Sequence, residues 1–316
     1  MKKKTLLIAF MLTFSFLTLM ALPYLEVQAF YISLFLTIFI WITLSVSWNI
    51  LSGYTGYFSF GHTAFFGTGA FVSAILDYYF EMNYFLTILI AGLFGVIVAA
   101  GVGVVTFRLR KLRGELFALT TLVLASVTSI VVINNWGAGI VMYSVKAFWP
   151  FINIPHIFYT LTLVLAILSI ITSIAIYHSR FGLNLFAIRD DEDAAEAIGI
   201  DTFKYKMLAF CISSLLVAMV GAVFAGWLKY VWPETVFNLN YSLYPILMSI
   251  LGGMGTWVGP IIGSIILTVI FQMVAGGEAV VNNIILGALL VGVMVFLPRG
   301  LFPLLTTSFR KIRGRR

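Results

Sequence analysis

A succession of long apolar runs, separated by short polar intervals, constrains this chain more than any other feature. Such runs lie near 5–22, 29–50, 61–77, 84–107, 115–133, 157–177, 207–228, 258–275 and 281–298, with a shorter one at 241–251. A helix of about 20 apolar residues crosses the hydrocarbon of a bilayer, where backbone N–H and C=O groups must be satisfied within the protein. The pattern therefore predicts about ten transmembrane helices, an all-α polytopic membrane protein with one transmembrane domain over 1–316. Composition agrees, since 61% of the 316 residues are hydrophobic and 10% are charged, against roughly 25% charged in a soluble domain. The first run follows Lys2, Lys3 and Lys4 and shows no small-residue cleavage pattern before Pro23, so it is expected to stay as the first helix.

Charge orients the spans. With the N-terminus inside, the inner segments are 1–4, 51–60, 108–114, 178–206, 252–257 and 299–316. They hold 17 of the 19 lysines and arginines, leaving only Lys146 and Lys229 outside. Retention of positive charge on one face predicts cytoplasmic N- and C-termini. The net charge of +7 then needs no nucleic acid, because the basic clusters at 108–113 and 310–316 flank spans and serve as anchors near anionic lipid of the bilayer. The single cysteine, Cys211, excludes an intrachain disulfide.

The longest inner segment, 178–206, carries Arg180, Arg189, Lys204, Lys206 and six carboxylates between two nearly uninterrupted apolar runs. Its centre predicts a short amphipathic helix. Asp190 is expected to cap it, Asp193 and Glu196 lie on one side, and Ala194, Ala197 and Ile198 lie at three- and four-residue spacings on the other. Gly199 is placed to end it. This reads as a docking helix whose small apolar face enters a groove in a soluble partner, the plain alternative being a solvated connector.

Two stretches break the pattern of plain helices. Leu51–Phe71 has glycines at 53, 56, 61, 67 and 69 among Ser52, Thr55, Ser59, Thr63 and Thr68, and irregular main chain within a bilayer is tolerated only where protein or water satisfies it. Either the third helix begins with a broken segment, or it packs closely through Gly61, Ala64 or Phe65 and Thr68. Gly53, Ser59, Phe60, Gly61 and His62 form the candidate translocation path, with Phe60 as an apolar wall, and His62 is expected to be a hydrogen-bonded structural residue. The second interruption, Leu251–Gly263, follows the short run. The shared order of leucine, one residue, glycine and a glycine-rich turn suggests two parallel halves, each with a discontinuous element. Asn134 and Asn135, at the end of the fifth span, either face a polar pathway or cap the helix.

The carboxylates outside 178–206 are Glu26, Asp77, Glu81, Glu115, Glu234 and Glu278, all expected at membrane edges. An ion relay needs ionisable groups within spans, and the sequence has no phosphate-binding glycine loop with its lysine. No catalytic residue, metal ligand or bound cofactor is expected. Energy for active transport must then arrive through the docking helix from another subunit. A passive channel leaves the 29-residue polar segment unexplained, and an assembly protein leaves the paired interruptions unexplained.

Residues 53–71 (GYTGYFSFGHTAFFGTGAF) resemble the signature of LivM-type permease subunits of branched-chain amino acid ABC transporters. The resemblance continues through Leu112–Leu122 (LRGELFALTTL), Phe181–Ile200 (FGLNLFAIRDDEDAAEAIGI) with Tyr205 and Lys206, Leu251–Gly263 (LGGMGTWVGPIIG) and Phe296–Leu301 (FLPRGL). It implies a bacterial or archaeal importer in the cytoplasmic (inner) membrane. Its partners would be a LivH-like second permease, two cytoplasmic ABC ATPases that use the ATP, and an extracytoplasmic binding protein delivering leucine, isoleucine or valine. Residues 190–200 take the place of that family's coupling helix. One departure concerns the substrate. Where such permeases carry a T-x-G-x-x-G turn after paired asparagines, this chain reads GAGIVMYS over Gly137–Ser144, which keeps a permease for urea or short amides as the alternative.

Overall fold

Helix α1, Ala29–Trp48, is the axis of the fold. The structure, a computed structural model, describes residues 20, 22–24, 28–108, 114–142, 154–274, 287–288 and 292. The expected spans 5–22 and 281–298 fall almost wholly outside the described residues, as do Phe296–Leu301 and the basic stretches 109–113 and 310–316. Beyond α1 the helices are α2 (His62–Phe80), α3 (Tyr84–Arg108), α4 (Glu115–Trp136) and α5 (Ile154–Tyr177), then α6 (Arg180–Asp190) and α7 (Glu192–Ala197). They continue as α8 (Thr202–Leu228), α9 (Pro233–Val236), α10 (Asn240–Gly252) and α11 (Gly259–Val274). Among the described residues, five segments are long and apolar enough to cross a membrane: Ala29–Gly53, Tyr84–Arg108, Glu115–Trp136, Pro155–Tyr177 and Thr202–Leu228. The protein is a mostly helical, multi-pass membrane protein.

Two helices hold the others. Helix α8 packs against α2, α3, α5 and α1, while α1 also packs against α5, α10 and α11. Neither has an apolar stripe and a polar stripe, because neighbours surround both. Serines supply the polar contacts. Ser213 of α8 donates to the Ser47 carbonyl at 2.7 Å, Ser249 of α10 to the Ser45 carbonyl at 3.1 Å, and Ser264 of α11 to the Trp41 carbonyl at 3.2 Å. Small hydroxyls permit close approach, and each donates to a main-chain oxygen of the axis.

Helices α2 and α8 approach each other closely. A Cβ on Gly69 would collide with the Ala218 carbonyl oxygen, and one on Gly221 with that of Phe66. As the alternative to a broken segment, the sequence placed close packing of this helix at Gly61, Ala64 or Phe65 and Thr68. The backbone contact falls at Gly69 instead, because Gly61 precedes the first helical residue and meets the Thr121 side chain. Helix α4 lies at the periphery, packed chiefly on α2 and α9, with Leu119, Val123, Val127 and Ile130 exposed.

The only strands among the described residues are a short antiparallel pair, β1 (Ile140–Val141) with β2 (Tyr230–Val231). It joins the chain leaving α4 to the chain leaving α8. Lys229 and Gly139 take left-handed backbone at its edges, and Ile140 and Val231 are buried beneath it.

The polar segment 178–206 contains more structure than a loop with one helix. Helix α6 forms first, because Gly182, Leu185 and Ile188 recur at three-residue spacing and bury one face. Ser179 caps it by accepting from the Gly182 N–H at 3.2 Å. Gly182 also lets α6 fold back on α5, since a Cβ there would meet the Ile176 carbonyl. Residues 202–206 belong to α8, not to the loop. Asp201 caps α8, accepting from the Lys204 N–H at 3.1 Å and pairing with its ammonium at 2.8 Å, and those bonds hold its carboxyl below the ordinary range.

Candidate functional site

Both interruptions exist as the sequence expects, and they are packed against each other. Helix α1 loosens into a π-helical turn at Asn49–Gly53, after which residues 56–60 leave regular structure until α2 begins. Gly53, Asn49 and Ser52 are buried. The second break, between α10 and α11, turns through Gly253 and Gly255, whose φ angles of 122° and 80° suit glycine. Asn49 joins the two. Its amide donates to the Thr256 carbonyl at 2.9 Å and its oxygen accepts from the Gly255 N–H at 2.8 Å. Residues about 200 apart in sequence are thereby clamped by one side chain.

The irregular stretch is satisfied almost group by group, as membrane burial requires. The Ser59 N–H donates to Ser52 Oγ at 3.1 Å, the Phe60 N–H to Thr121 Oγ1 at 3.0 Å, and the Gly61 N–H to Ser59 Oγ at 3.2 Å. The Ser59 carbonyl accepts from the Trp48 indole at 2.9 Å, and the Phe60 carbonyl from Ser242 at 2.6 Å. Ser242 Oγ also accepts from the Thr63 N–H at 2.9 Å. Helices α1, α4 and α10 thus all contribute to holding one short piece of main chain.

Of the candidate path residues, Gly53, Ser59, Gly61 and His62 are buried and Phe60 is half-buried. His62 corrects an expectation. Its two ring nitrogens are buried and make no hydrogen bond among the described residues. Asn134 and Asn135 are exposed near the far end of α4, about 20 Å along that helix from Thr121 at 1.5 Å per residue. The structure does not bring them to the break. Asn135 donates back to the Val131 carbonyl at 2.7 Å within its own helix.

The expected docking helix is α7, with one correction. Asp191, not Asp190, is its cap, accepting from the Ala194 N–H at 3.0 Å. Asp190 ends α6 and lies beside Arg189 at 3.5 Å. The backbone must extend at Asp191 to separate two helices, and an N-cap residue has that geometry. Gly199, with φ of 90°, ends α7 as foreseen. Its N–H donates to Glu196 and that of Ile200 to Ala195, the paired bonds of a Schellman motif. Ala194, Ala197 and Ile198 are exposed, and Ile198 has 76% of its surface free. Ala195 is buried, Glu196 turns inward to accept from Thr202 at 2.8 Å, and Asp193 is exposed.

Sequence reasoning missed what anchors this helix. Arg189 donates to the Gly53 carbonyl at 3.3 Å, and a Cβ on Gly56 or Gly255 would press on its side chain. Glu192 pairs with Lys206, and Tyr57 donates to the same carboxylate. Lys206 is 3% exposed. Its ammonium lies 4.7 Å from the Tyr57 ring centre and 5.5 Å from that of Phe107, within the range of cation–π attraction. An abundance of lysine at membrane edges hid Lys206, and the only signal was its position at the start of an apolar run. The segment α6–α7 is therefore fastened to the first interruption and lies against the second at Gly255, while the small face of α7 points away.

Comparison with known proteins gives the same class. The family model described as "Branched-chain amino acid transport system / permease component" matches residues 30–294. The chain is 25% identical over 305 residues to the high-affinity branched-chain amino acid transport system permease protein LivM of Escherichia coli K12, covering 87% of this chain and 70% of that protein. The LivM of Salmonella typhimurium is 26% identical over 294 residues, 84% of this chain and 68% of that protein. A shorter similarity, 32% over 127 residues, links 37% of the chain to 36% of the autoinducer 2 import system permease protein LsrC of Klebsiella pneumoniae. No solved structure matches the chain.

Proposed function

The chain belongs to the branched-chain amino acid transport system permease family, as a LivM-type permease component of an ABC transporter, and from that premise we propose that it carries leucine, isoleucine and valine across the cytoplasmic membrane. In this reading residues 1–316 form one permease domain of about ten spans in two parallel halves, with both termini cytoplasmic and 178–206 as the coupling segment. It pairs with a LivH-like permease, receives substrate from an extracytoplasmic binding protein, and is driven by two ATPase subunits that bind the nucleotide.

One observation carries the coupling role: α7 presents Ala194, Ala197 and Ile198 outward while its other side is tied, through Glu192, to Tyr57 beside the broken helix. A solvated connector needs neither the buried anchor nor the small exposed face. Purification of the chain from its native membrane should retain stoichiometric ATPases, and proteoliposomes with the binding protein should accumulate labelled leucine when ATP is supplied. Absence of ATPases overturns the reading, and accumulation of labelled urea in place of leucine assigns the substrate to the urea or short-amide class.

The path is proposed to run beside residues 53–62, where small groups and Phe60 offer an apolar but hydrogen-bonding surface. Gly61→Leu should abolish uptake while the ATPases stay bound, because the side chain must displace Thr121, whose Cβ would lie 3.3 Å from the new Cβ. Gly101, with nothing within 4 Å, is the suitable control, and Gly101→Leu should transport normally. Normal uptake by the assembled Gly61→Leu complex would leave the stretch only a packing role.

A further inference from the structure

We propose that Glu192, Lys206 and Tyr57 form a transmission joint, a set of positioning residues that carries displacement of α7 to the irregular segment Gly56–Gly61. The inference rests on the importer reading above and concerns how the coupling segment acts on the membrane domain.

Three separate pieces of chain meet at the joint. Glu192 is the first residue of α7, Lys206 lies in the first turns of the central helix α8, and Tyr57 follows Gly56 in the break. The Glu192 carboxylate accepts from both partners, the Lys206 ammonium on one oxygen and the Tyr57 hydroxyl on the other, and the ammonium also lies 3.3 Å from that hydroxyl. Phe107 and Phe117 enclose the group, their rings 5.9 and 5.3 Å from that of Tyr57.

The placement is hard to explain by stability alone. Desolvating two charges costs several kcal/mol per ion, and a buried ion pair is often no better for folding than apolar residues of the same volume. A directional, charge-assisted bond does provide a contact that resists separation. Lys206 is fixed in α8, which packs on α1, α2, α3 and α5, whereas Tyr57 lies in a segment outside regular structure with Gly56 at φ of 77° on one side and Gly61 on the other. Force on α7 therefore acts on the more deformable partner. Arg189 makes a parallel tie to the carbonyl of Gly53, the last residue of the π-helical turn that precedes the segment, so α6–α7 holds the chain on entry to the segment as well as at Tyr57. Between Tyr57 and α2 lie Ser59, Phe60 and Gly61, the residues proposed for the path.

The test uses the complete transporter in proteoliposomes, with uptake and ATP hydrolysis measured together. The double variant Glu192→Gln, Lys206→Met removes the pair without leaving one charge buried alone, and Tyr57→Phe keeps the ring while removing its bond to Glu192. Expected for the double variant are retained ATPases and continued hydrolysis, with import per ATP reduced about tenfold, and for Tyr57→Phe a smaller reduction in the same sense. A purely structural role would lower the yield of complex and leave the ratio unchanged in what assembles. Wild-type import per ATP in the double variant overturns the joint. Should that variant fail to assemble, Tyr57→Phe decides, and an unchanged ratio there overturns it equally. Failure of the wild-type complex to show any ATP-driven uptake would instead remove the importer reading, and the joint with it.

Discussion

Ala197→Arg should yield a permease that inserts and folds but neither retains its ATPases nor supports uptake. Ala197 is exposed on the outward side of α7, so the substitution touches none of the contacts that hold the helix. The Asp191 cap, the Gly199 stop and the Glu192 anchor all lie elsewhere on it. In the proposed assembly this face is buried in a groove of the ATPase, and an arginine there carries an unpaired charge out of water. A cost of about 3 kcal/mol corresponds to an affinity loss of more than about a hundredfold. Two measurements check the result: co-purification of the ATPases, expected to be lost, and thermal unfolding of the isolated permease, expected to be unchanged. Ala197→Ser keeps a small side chain at the same place and serves as the comparison, with ATPases retained. Full retention of ATPases by Ala197→Arg would return α7 to a solvated connector.

A second large effect comes from the smallest possible side chain. Replacing glycine by alanine inside an exposed helix stabilises it by up to about 1 kcal/mol. At Gly69 the sign should reverse, because the new methyl would occupy the place of the Ala218 carbonyl oxygen, with the Ala218 carbon atoms 2.6 Å away. Backbone cannot rotate aside as a side chain does. Helices α2 and α8 must separate, and with them the reciprocal approach of Gly221 to Phe66, so destabilisation of about 3 kcal/mol is expected. Gly101→Ala is the same chemical change at an open position and should be neutral or stabilising. The two variants, compared by thermal unfolding in one detergent, should shift in opposite directions, and equal shifts would mean that α2 and α8 do not pack as described.

Much of this architecture was legible in the chain because bilayer burial acts locally. Every span must satisfy its own backbone, so apolar length alone marks α1, α3, α4, α5 and α8 to within a few residues. The end of α7 at Gly199 and its small outward face were legible for a similar reason, since left-handed backbone and helical spacing are properties of neighbouring residues. Its start was misread by one residue, because Asp190 and Asp191 are equally good caps and only the extended backbone at Asp191 distinguishes them. Helix α6 was missed because its buried face is narrow and includes a glycine.

What the sequence by itself determined is the membrane class, the positions of the two breaks and the outward small-residue face of α7, all of which follow from composition and short-range periodicity. Tertiary structure alone decided that the two breaks meet through Asn49, that close packing falls at Gly69, that the His62 ring has no hydrogen-bond partner among the described residues while Ser59 is engaged with the backbone, and that Lys206 is buried against Glu192 and Tyr57. Each of these depends on groups brought together from distant parts of the chain. A hydrogen-bonding or charged residue has the same local appearance whether its partner is water or a side chain more than a hundred positions away, and only packing chooses between them.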